Sequence, residues 1–246
     1  MIIQSYENSL RAQACIEYLN GVDGVEFWDK IILLPIPSTR DKCTISNTKV
    51  DIYSLIPQIN DRTFVSGYGL PQRLIEGIRA GGGRVVDLEG EEDFLLENAE
   101  LTALATLGIF LNSTKVSVRD AHIGIVGYGR IGQRLVNILM YLGARLKVFT
   151  SRTNTRLDLC ECGVASTMSS VDADLSGLDL LINTAPARIF TPVSVPEGLR
   201  IIDLASGDNF PGIEVEKYPS VPAKMFPYSA GRVWGRTLEK YLVNYP

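Results

Sequence analysis

The stretch HIGIVGYGRIGQRLVNILMYLG, residues 122–143, decides the fold of this 246-residue chain. A short apolar run is followed by Gly127, Gly129 and Gly132, and then by apolar residues at helical spacing. This order predicts a β-strand, a tight turn and a helix. The first glycine permits the turn, the second lets the backbone approach a pyrophosphate, and the third allows close packing of helix on strand. The stretch therefore predicts a dinucleotide site at a helix N-terminus.

Further apolar, β-rich runs follow this stretch, with helical or loop segments between them. They are RLKVFT (145–150), GVAST (163–167), LDLLINTA (178–185), LRIIDLAS (199–206) and AKMFPYS (223–229). Together with HIGIV they make six predicted strands, the number in a complete dinucleotide-binding sheet. Alternation of strands with crossovers is typical of a parallel sheet. Residues 114–229 are therefore predicted to form an α/β, doubly wound Rossmann domain.

The first part of the chain has weaker patterns. SLRAQACIEYLN (9–20) and PQRLIEGIRAGG (71–82) are predicted helices, while KIILLPIPST, RTFVSGYG and GRVVDL are predicted strands. Residues 1–91 are thus expected to form a smaller, shortened N-terminal α/β domain on the substrate side. A bridging helix is expected over 92–113, and a C-terminal helix over 230–246 is expected to pack back across the domain boundary.

The stretch VFTSRTNTR (148–156) bears on the choice of cofactor. At the end of the second strand an NAD site usually carries an acidic residue, which binds the ribose and repels a 2′-phosphate. Here Thr150, Ser151 and Arg152 supply hydroxyls and a planar cation suited to phosphate. We therefore predict NADP rather than NAD, the alternative being a solvated arginine in a site with little discrimination. Arg156 is either a second phosphate ligand or a surface residue.

Composition excludes several classes of function. The net charge of −4 and a pI of about 5.2 argue against a nucleic-acid footprint, which needs a basic face. The four cysteines fit neither a zinc module nor a disulfide framework and predict reduced thiols in a cytoplasmic protein. The start lacks the features of a signal peptide, and the apolar stretch 101–111 is too short to span a bilayer. No metal site and no membrane segment are expected.

The single histidine, His122, begins the first nucleotide-binding strand. Ligands of such sheets gather at the carboxyl ends of the strands, so His122 is not expected to act as a catalytic acid or base. The reaction should then need little help with protons, or draw it from lysine, tyrosine, a carboxylate or water. Aromatisation of a dihydropyridine meets that condition, since positioning supplies much of the catalysis.

From about Ile31 to the C-terminus the chain resembles the dipicolinate synthase A-chain family of spore-forming bacteria. The likeness rests on an ordered set of motifs rather than on the glycine turn alone. They are IILLPIPST (31–39), VSGYG (65–69), residues 97–132, LLINTAP (180–186), LRIIDLAS (199–206) and MFPYSAGRVWGRT (225–237).

The resemblance implies an NADP-dependent oxidation of dihydrodipicolinate, or of its hydroxylated precursor, to dipicolinate, and hence a role in sporulation. It also implies a cleft between two α/β domains and a partner that is a flavoprotein-like second subunit; a homodimer is expected only by analogy of fold. The residues that it assigns to the cofactor are Gly127, Tyr128, Gly129, Arg130, Ile131 and Gly132 at the pyrophosphate, Thr150, Ser151 and Arg152 at the adenosine, and Thr184, Ala185, Pro186, Ala205 and Ser206 near the nicotinamide ribose.

Two departures from the family pattern are visible in the sequence. The family opens with a strand and a glycine-bearing turn, whereas this chain is expected to begin near the first helix and to be shorter. The family's bridging helix carries Pro-Thr-x-Glu-Gly, where this chain has Leu-Thr-Ala-Leu-Ala at 101–105. The missing glutamate affects which reaction is expected of the chain, whereas the predicted cofactor binding does not depend on it.

A dicarboxylate substrate needs cationic and N–H donors facing the nicotinamide, and three groups of residues are candidates. Each has a plainer alternative as a turn, helix-end or surface residue. The candidates are Ser38, Thr39, Ser66 and Gly67 at strand ends, Asn98 and Thr102 on the bridging helix, and Ser229, Arg232, Arg236 and Arg188 further on. No catalytic residue is assigned.

Three functions remain open from the sequence. The first is an oxidoreductase of the dipicolinate synthase A type. The second is a related dehydrogenase that acts on another small carboxylate. The third is a catalytically silent NAD(P)-binding subunit or sensor, which the missing glutamate and the shortened start favour.

Overall fold

The computed structural model describes residues 1–167, 173–186 and 195–243. The chain divides into two compact units, Met1–Asn98 with Pro222–Pro246 and Ala99–Val221. The strands are β1 Ile2–Ser5, β2 Lys30–Leu33, β3 Thr63–Gly67, β4 Arg84–Asp87, β5 His122–Val126, β6 Arg145–Phe149, β7 Ala165–Thr167, β8 Leu180–Asn183, β9 Arg200–Asp203 and β10 Glu216–Lys217. The helices are α1 Leu10–Leu19, α2 Gln72–Ala80, α3 Glu92–Ser113, α4 Arg130–Tyr141, α5 Thr153–Glu161, α6 Val221–Met225 and α7 Pro227–Leu242.

The first unit contains a four-stranded parallel sheet in the order β1-β2-β3-β4. Strands β2 and β3 are almost wholly buried, as expected for a parallel sheet that is covered on both faces. An apolar core lies against this sheet and includes Ile32, Val65, Leu74 and Ile78. Because the strands are parallel, their carboxyl ends meet at one edge of the sheet.

Helices α1 and α7 of the first unit pack closely because two glycines of α7 face α1. A Cβ at Gly231 would lie 2.3 Å from the carbonyl oxygen of Arg11, and one at Gly235 would lie 2.6 Å from the ring of Tyr18. The indole of Trp234, between these glycines, is fully buried and donates a hydrogen bond to the Ser66 hydroxyl at 3.0 Å. Helix α7 is thereby anchored to the end of β3.

The start of the chain differs from expectation. Residues Ile2–Ser5 form strand β1, which pairs in parallel with β2 before α1 begins. The prediction that the chain begins near the first helix, without this strand, is therefore wrong. The strand was missed because it is a four-residue edge strand with two polar residues, too short for a period to be recognised. Ser9 caps α1 by accepting from the Ala12 amide, and the turn before it contains no glycine.

The second unit contains a six-stranded parallel sheet in the order β10-β9-β8-β5-β6-β7. The chain order reverses between β5 and β8, which is the topological switch point of a doubly wound sheet. One core cluster on this sheet is built around Val126, Phe149, Leu181 and Ile201. The predicted α/β fold with a doubly wound parallel sheet is confirmed.

The sixth strand is not the segment that the sequence suggested. AKMFPYS at 223–229 lies in α6 and the first turn of α7, and β10, Glu216–Lys217, takes the sixth place beside β9. Pro222 and Pro227 explain the difference, since proline has no N–H to donate and is favoured in the first turn of a helix.

Helix α3 has the bounds that the sequence predicted, Glu92–Ser113. Among the described helices it is the one whose length and composition would allow it to cross a membrane, and 39% of its most apolar window is buried. Buried residues recur along it at spacings of three or four, among them Ala99, Ala103, Thr106 and Phe110, as in a core helix of a globular protein.

An ion pair joins the last two strands on one side of the second sheet. The Arg200 Nη2 lies 2.8 Å from Glu216 Oε2, which also accepts from the Tyr218 hydroxyl at 2.8 Å. The hydrogen bond from Arg200 lowers the pKa of the Glu216 carboxyl below its usual 4.5. A carboxyl whose pKa is lower in the folded state than in the unfolded state stabilises the folded protein at pH values above the unfolded-state pKa. This stability is lost as pH falls through the folded-state pKa.

We expect Glu216→Gln to lower the unfolding temperature at about pH 7 and to differ less from the wild type at about pH 3, because stability that comes from a lowered pKa is lost as pH falls toward the native pKa. Thermal unfolding followed by circular dichroism at both pH values checks this. Glu214→Gln is the control, because Glu214 is an exposed neighbour on the same segment. Equal losses in the two variants at neutral pH would contradict the assignment.

Candidate dinucleotide site

The predicted cofactor residues all lie in the second unit, directly after the carboxyl ends of four strands. Residues 127–132 follow β5, 150–152 follow β6, 184–186 follow β8 and 205–206 follow β9. These strands are adjacent in the order β9-β8-β5-β6 and are parallel. The fold therefore brings the four segments to one edge of the sheet, on both sides of the switch point where ligands of such sheets bind.

The three glycines of the turn after β5 have different surroundings. Gly127 has a φ of +89°, a backbone angle that residues other than glycine rarely adopt. A Cβ on Gly132 would lie 2.2 Å from the carbonyl oxygen of Gly127, so helix α4 can approach the turn only with glycine there. A Cβ on Gly129 would meet no protein atom within 4 Å. No packing within the described structure requires glycine at 129, and the open space beside it suits a bound group.

Helix α4 begins at this turn without a side-chain cap. Gly129 is its N-cap residue and makes no capping hydrogen bond. The first N–H groups of a helix have no partners within the helix and carry partial positive charge. This arrangement fits a pyrophosphate, which supplies oxygen acceptors and negative charge.

Thr184 fixes the distance between the turns after β5 and β8. Its hydroxyl and its backbone amide both donate to the carbonyl oxygen of Val126, at 2.8 and 2.9 Å. The same hydroxyl would lie 2.8 Å from a Cβ on Gly127. Thr184 therefore supports the glycine turn, a role that its place after the fourth strand alone does not reveal.

The segment after β6 presents donors and a cation, with no acidic residue among 150–156. Thr150 is buried and its hydroxyl accepts from the Arg152 amide at 3.3 Å, which bends the chain into α5. Ser151 and the Arg152 side chain are exposed, and α5 starts without a side-chain cap. Arg156 donates to the Thr153 hydroxyl at 3.3 Å. The segment fits an anionic group on the adenosine side.

Tyr128, inside the glycine turn, keeps its proton. Burial raises the pKa of its phenol, and the nearby thiol of Cys162 and carboxylate of Asp158 raise it further. A neutral phenol can donate a hydrogen bond but cannot act as a base near pH 7. Tyr128 is therefore suited to contact a ligand and not to abstract a proton.

A buried polar group stands behind the turns after β8 and β9, and sequence analysis missed it. Asn183 and Asp203 end these two strands and are register partners, and Asn209 joins them from the following loop. The signal was present in the sequence, because LLIN and RIID each end an apolar strand on a polar residue. Only the register shows that the two side chains meet.

In the first unit, the serines predicted as substrate ligands have partners within the protein. Ser38 is fully buried, donates to the Pro35 carbonyl at 2.9 Å and accepts from the Tyr68 amide at 2.7 Å. Ser66 is fully buried and accepts from Trp234. A Cβ on Gly67 would lie 2.4 Å from the Ser38 hydroxyl. Ser38, Ser66 and Gly67 thus build the carboxyl edge of this sheet, and their contact with substrate stays a prediction.

Thr39 also points to a local partner, since its hydroxyl donates to Asp41 Oδ1 at 3.0 Å. Asp41 accepts further hydrogen bonds from Thr44 and Cys43, which hold the pKa of its carboxyl well below its usual range. The Asp41 carboxylate thus organises the loop after β2 and stays charged. Substrate contact by Thr39 remains a prediction.

The predicted residues of α7 lie on its exposed face. Arg232 lines a groove of about 470 Å³ together with Glu17, Tyr18 and Arg236. Arg236 also pairs with Glu97. Ser229 is exposed in the first turn of the helix. Within the first unit, Arg232 and Ser229 are therefore open to a ligand, while Arg236 is shared with an ion pair.

Two predicted residues lie on α3, and one lies outside the described residues. Asn98 is half-buried and Thr102 is buried one turn later, and the Thr102 carbonyl accepts from the Thr106 hydroxyl at 2.7 Å. Arg188 falls in the segment 187–194, which lies outside the described residues. The roles of these three residues stay predictions.

Sequence analysis also missed an ion pair at the carboxyl edge of the first sheet. Arg11 makes a bidentate contact with Glu7, with Nη2 at 2.8 Å from both carboxylate oxygens, and both side chains are almost buried. Glu7 also accepts from the Ser9 hydroxyl and the Ile36 amide. Arg11 lies over the Trp234 ring at 5.9 Å. The pair thus connects β1, α1, the loop after β2 and α7.

His122 lies at the opposite edge of the second sheet from the glycine turn. It is the first residue of β5, and its ring contacts the Gly177 carbonyl at 3.1 Å and Arg145 Nη1 at 2.8 Å. In a parallel sheet the amino ends of the strands are remote from the ligand crevice. The ring of His122 therefore contacts the first residue of β6 and the turn at Gly177, at the edge opposite the candidate dinucleotide site.

Comparison with known proteins gives matches of fold. No protein-family model matches the chain, and no curated protein matches its sequence. The A chain of dipicolinate synthase from Bacillus halodurans has a TM-score of 0.80 at 22% identity, covering 99% of this chain and 98% of that chain. The corresponding chain from Bacillus subtilis has a TM-score of 0.77 at 20% identity, covering 98% of this chain and 94% of that one.

A wider neighbour is L-alanine dehydrogenase, with a TM-score of 0.56 at 16% identity, covering 98% of this chain and 88% of that chain. At such identities the likeness concerns the fold. In fold, the chain is therefore similar to the A chain of dipicolinate synthase along nearly its whole length, with Rossmann-type dehydrogenases as more distant neighbours.

Proposed function

We propose that the chain is an NADP-dependent oxidoreductase of the dipicolinate synthase A type, which oxidises dihydrodipicolinate or its hydroxylated precursor to dipicolinate. The observation that carries the proposal is the open, uncapped glycine turn at Gly129 in a chain whose fold follows the A chain of dipicolinate synthase over its whole length. The turn supports the cofactor, and the likeness of fold supports the substrate class.

The proposed reaction balances without a catalytic histidine. NADP⁺, when bound, would supply the hydride acceptor: the dihydropyridine ring would lose a hydride to it and one proton to water, leaving dipicolinate and NADPH. The hydroxylated precursor reaches the same ring by loss of water. Because formation of an aromatic product favours loss of the hydride, the protein's main task is to hold the dihydropyridine ring against the nicotinamide ring.

The chain's own residues divide the binding of the dinucleotide. The N-terminus of α4 binds the pyrophosphate, with Gly129 leaving room for it. Ser151 and Arg152 bind the adenosine ribose and its 2′-phosphate, since a guanidinium matches phosphate geometry. The backbone of 184–186 and 205–206 lines the nicotinamide ribose. These roles follow the strand order at the switch point.

We expect the protein to bind NADPH more tightly than NADH, and Arg152→Ala to weaken NADPH binding about tenfold with little effect on NADH. A hydrogen bond to a charged group contributes about 1.5–3 kcal/mol, and NADH lacks the phosphate. Titration of cofactor fluorescence measures both constants. Arg119→Ala, an exposed arginine before β5 at the amino edge of the sheet, is the control. Tighter binding of NADH by the wild type would overturn the NADP assignment.

Activity is tested by mixing the purified full chain with NADP⁺ and dihydrodipicolinate and following the absorbance of the reduced cofactor. Turnover supports the proposal. Turnover of a hydroxy acid but not of the dihydropyridine acid would instead identify a related dehydrogenase that acts on another small carboxylate.

A second candidate is a catalytically silent NAD(P)-binding subunit or sensor. The observation that favours it is Leu104, an exposed apolar residue of α3 at the position where the resembled family carries glutamate. Cofactor binding without turnover of any carboxylate, including the dihydropyridine acid, would support this candidate.

Partners are proposed by resemblance alone. The resemblance implies a flavoprotein-like second subunit as partner, and a homodimer is proposed by analogy of fold. Co-purification of this chain with that partner and size-exclusion chromatography of the chain alone test these proposals separately.

A further inference from the structure

Three polar side chains are buried together in the second unit, behind the turns that follow β8 and β9. Asn183, Asp203 and Asn209 are 0%, 1% and 4% exposed. Buried polar groups are costly unless they are hydrogen-bonded, and a buried carboxylate is costly unless donors surround it. An apolar side chain would fill the same volume at less cost, so the group calls for an explanation beyond packing.

Asn183 uses its amide to shape the turn after β8. Its Oδ1 accepts from the Ala185 amide at 3.2 Å, and its Nδ2 donates to the Ala185 carbonyl at 3.0 Å. The same Nδ2 donates to Asp203 Oδ1 at 2.8 Å. Asn183 therefore fixes the backbone of Ala185 on one side and holds the next strand on the other.

Asp203 and Asn209 shape the turn after β9 in the same way. Asp203 Oδ1 accepts from the Ala205 amide at 3.2 Å. Asn209 Nδ2 lies 3.3 and 3.2 Å from the two carboxylate oxygens and 3.3 Å from the Ser206 carbonyl. These donors come from the two strands or from the segments that follow them, so the Asp203 carboxylate is the common acceptor that sets the spacing of the turns.

The group touches only one half of the proposed cofactor site. Its hydrogen-bond partners belong to the two segments assigned to the nicotinamide ribose, and they are Ala185, Ala205 and Ser206. Its hydrogen bonds within the described part of the chain do not involve 127–132 or 150–152, which are assigned to the pyrophosphate and adenosine. A change in the group should therefore act on the nicotinamide half and spare the adenosine half.

We propose that Asn183, Asp203 and Asn209 are positioning residues that hold the two turns at the spacing required by the nicotinamide ribose and ring. The inference rests on the proposed function and deepens it. These residues act through the backbone of their neighbours and do not touch the reacting atoms. Their combined effect is a geometric constraint on where the nicotinamide lies.

The test compares two ligands on one variant. Asn209→Ala removes one donor while Asp203 keeps its bonds from Asn183 and Ala205. We expect the variant to bind NADP⁺ about tenfold more weakly, or about 1.4 kcal/mol, and to bind 2′,5′-ADP, which lacks the nicotinamide half, as the wild type does. Isothermal titration calorimetry measures both. Asn137→Ala, at an exposed position in the middle of α4, is the matched control and should change neither constant.

The ratio of the two affinities separates positioning from general damage to the fold. Equal weakening of both ligands, or no weakening of either, would overturn the inference. If Asn209→Ala does not fold, Asn209→Ser, which keeps a shorter donor, is measured in its place with the same two ligands. A wild type that binds 2′,5′-ADP but gains no affinity from the nicotinamide half also overturns it, whereas a wild type that binds neither ligand refutes the proposed function itself.

Discussion

Gly129→Ala is expected to weaken NADP⁺ binding about a hundredfold while changing the free energy of unfolding by no more than about 1 kcal/mol. A Cβ at this position meets no protein atom within 4 Å, and the backbone has a φ of −86°, which alanine adopts readily. The small cost to the fold comes from the weaker preference of alanine for a helix N-cap. The large cost to binding is expected because the Cβ would stand where the pyrophosphate is proposed to approach, and a hundredfold is about 2.7 kcal/mol.

Two further glycines make this result interpretable. Gly90→Ala is the matched control, because a Cβ there also meets nothing within 4 Å and the residue lies in the first unit. It should alter neither stability nor binding. Gly132→Ala should lower both, since its Cβ would lie 2.2 Å from the Gly127 carbonyl. Calorimetric titration and urea unfolding of the three variants give the full comparison; unimpaired binding by Gly129→Ala would refute the pyrophosphate site.

These glycines show how much of the local fold could be predicted from the sequence alone. The spacing of Gly127, Gly129 and Gly132 after an apolar run was enough to predict the strand, turn and helix, because few other residues tolerate that geometry. The alternation of strands and crossovers then predicted that the second sheet is parallel and doubly wound. Strand β10 could not be predicted in this way, because two residues carry no period and its partner β9 defines it.

The limits of prediction at the site have a similar cause. Segments that follow strands of one parallel sheet must meet at one edge, so the residues predicted to bind the cofactor could be expected to lie near one another without coordinates. The partners of a side chain depend on register and loop path. Ser38 and Ser66 look like turn residues open to substrate, yet they accept hydrogen bonds from Tyr68 and Trp234, which are 30 and 168 residues away along the chain.

The Glu7–Arg11 pair is local in sequence, but its further contacts with Ile36 and Trp234 are distant, and the pair carries the largest expected effect on stability. Glu7→Gln should destabilise the protein by about 3–5 kcal/mol, because it leaves the nearly buried Arg11 guanidinium without its counter-charge. Urea unfolding at neutral pH measures the loss. Glu26→Gln, at an exposed acid in the same unit, is the control and should stay within about 0.5 kcal/mol of wild type.

A double variant decides whether charge or packing is responsible. Replacing a buried ion pair by apolar side chains of similar volume is often neutral, so Glu7→Leu combined with Arg11→Met should recover most of the loss seen in Glu7→Gln. The recovery should be incomplete, since Glu7 also accepts from the Ile36 amide at 3.3 Å and that donor would lose its partner. A Glu7→Gln variant within about 1 kcal/mol of wild type would show that the guanidinium is satisfied by other groups, in which case the pair would not be what holds the carboxyl edge of the first sheet together.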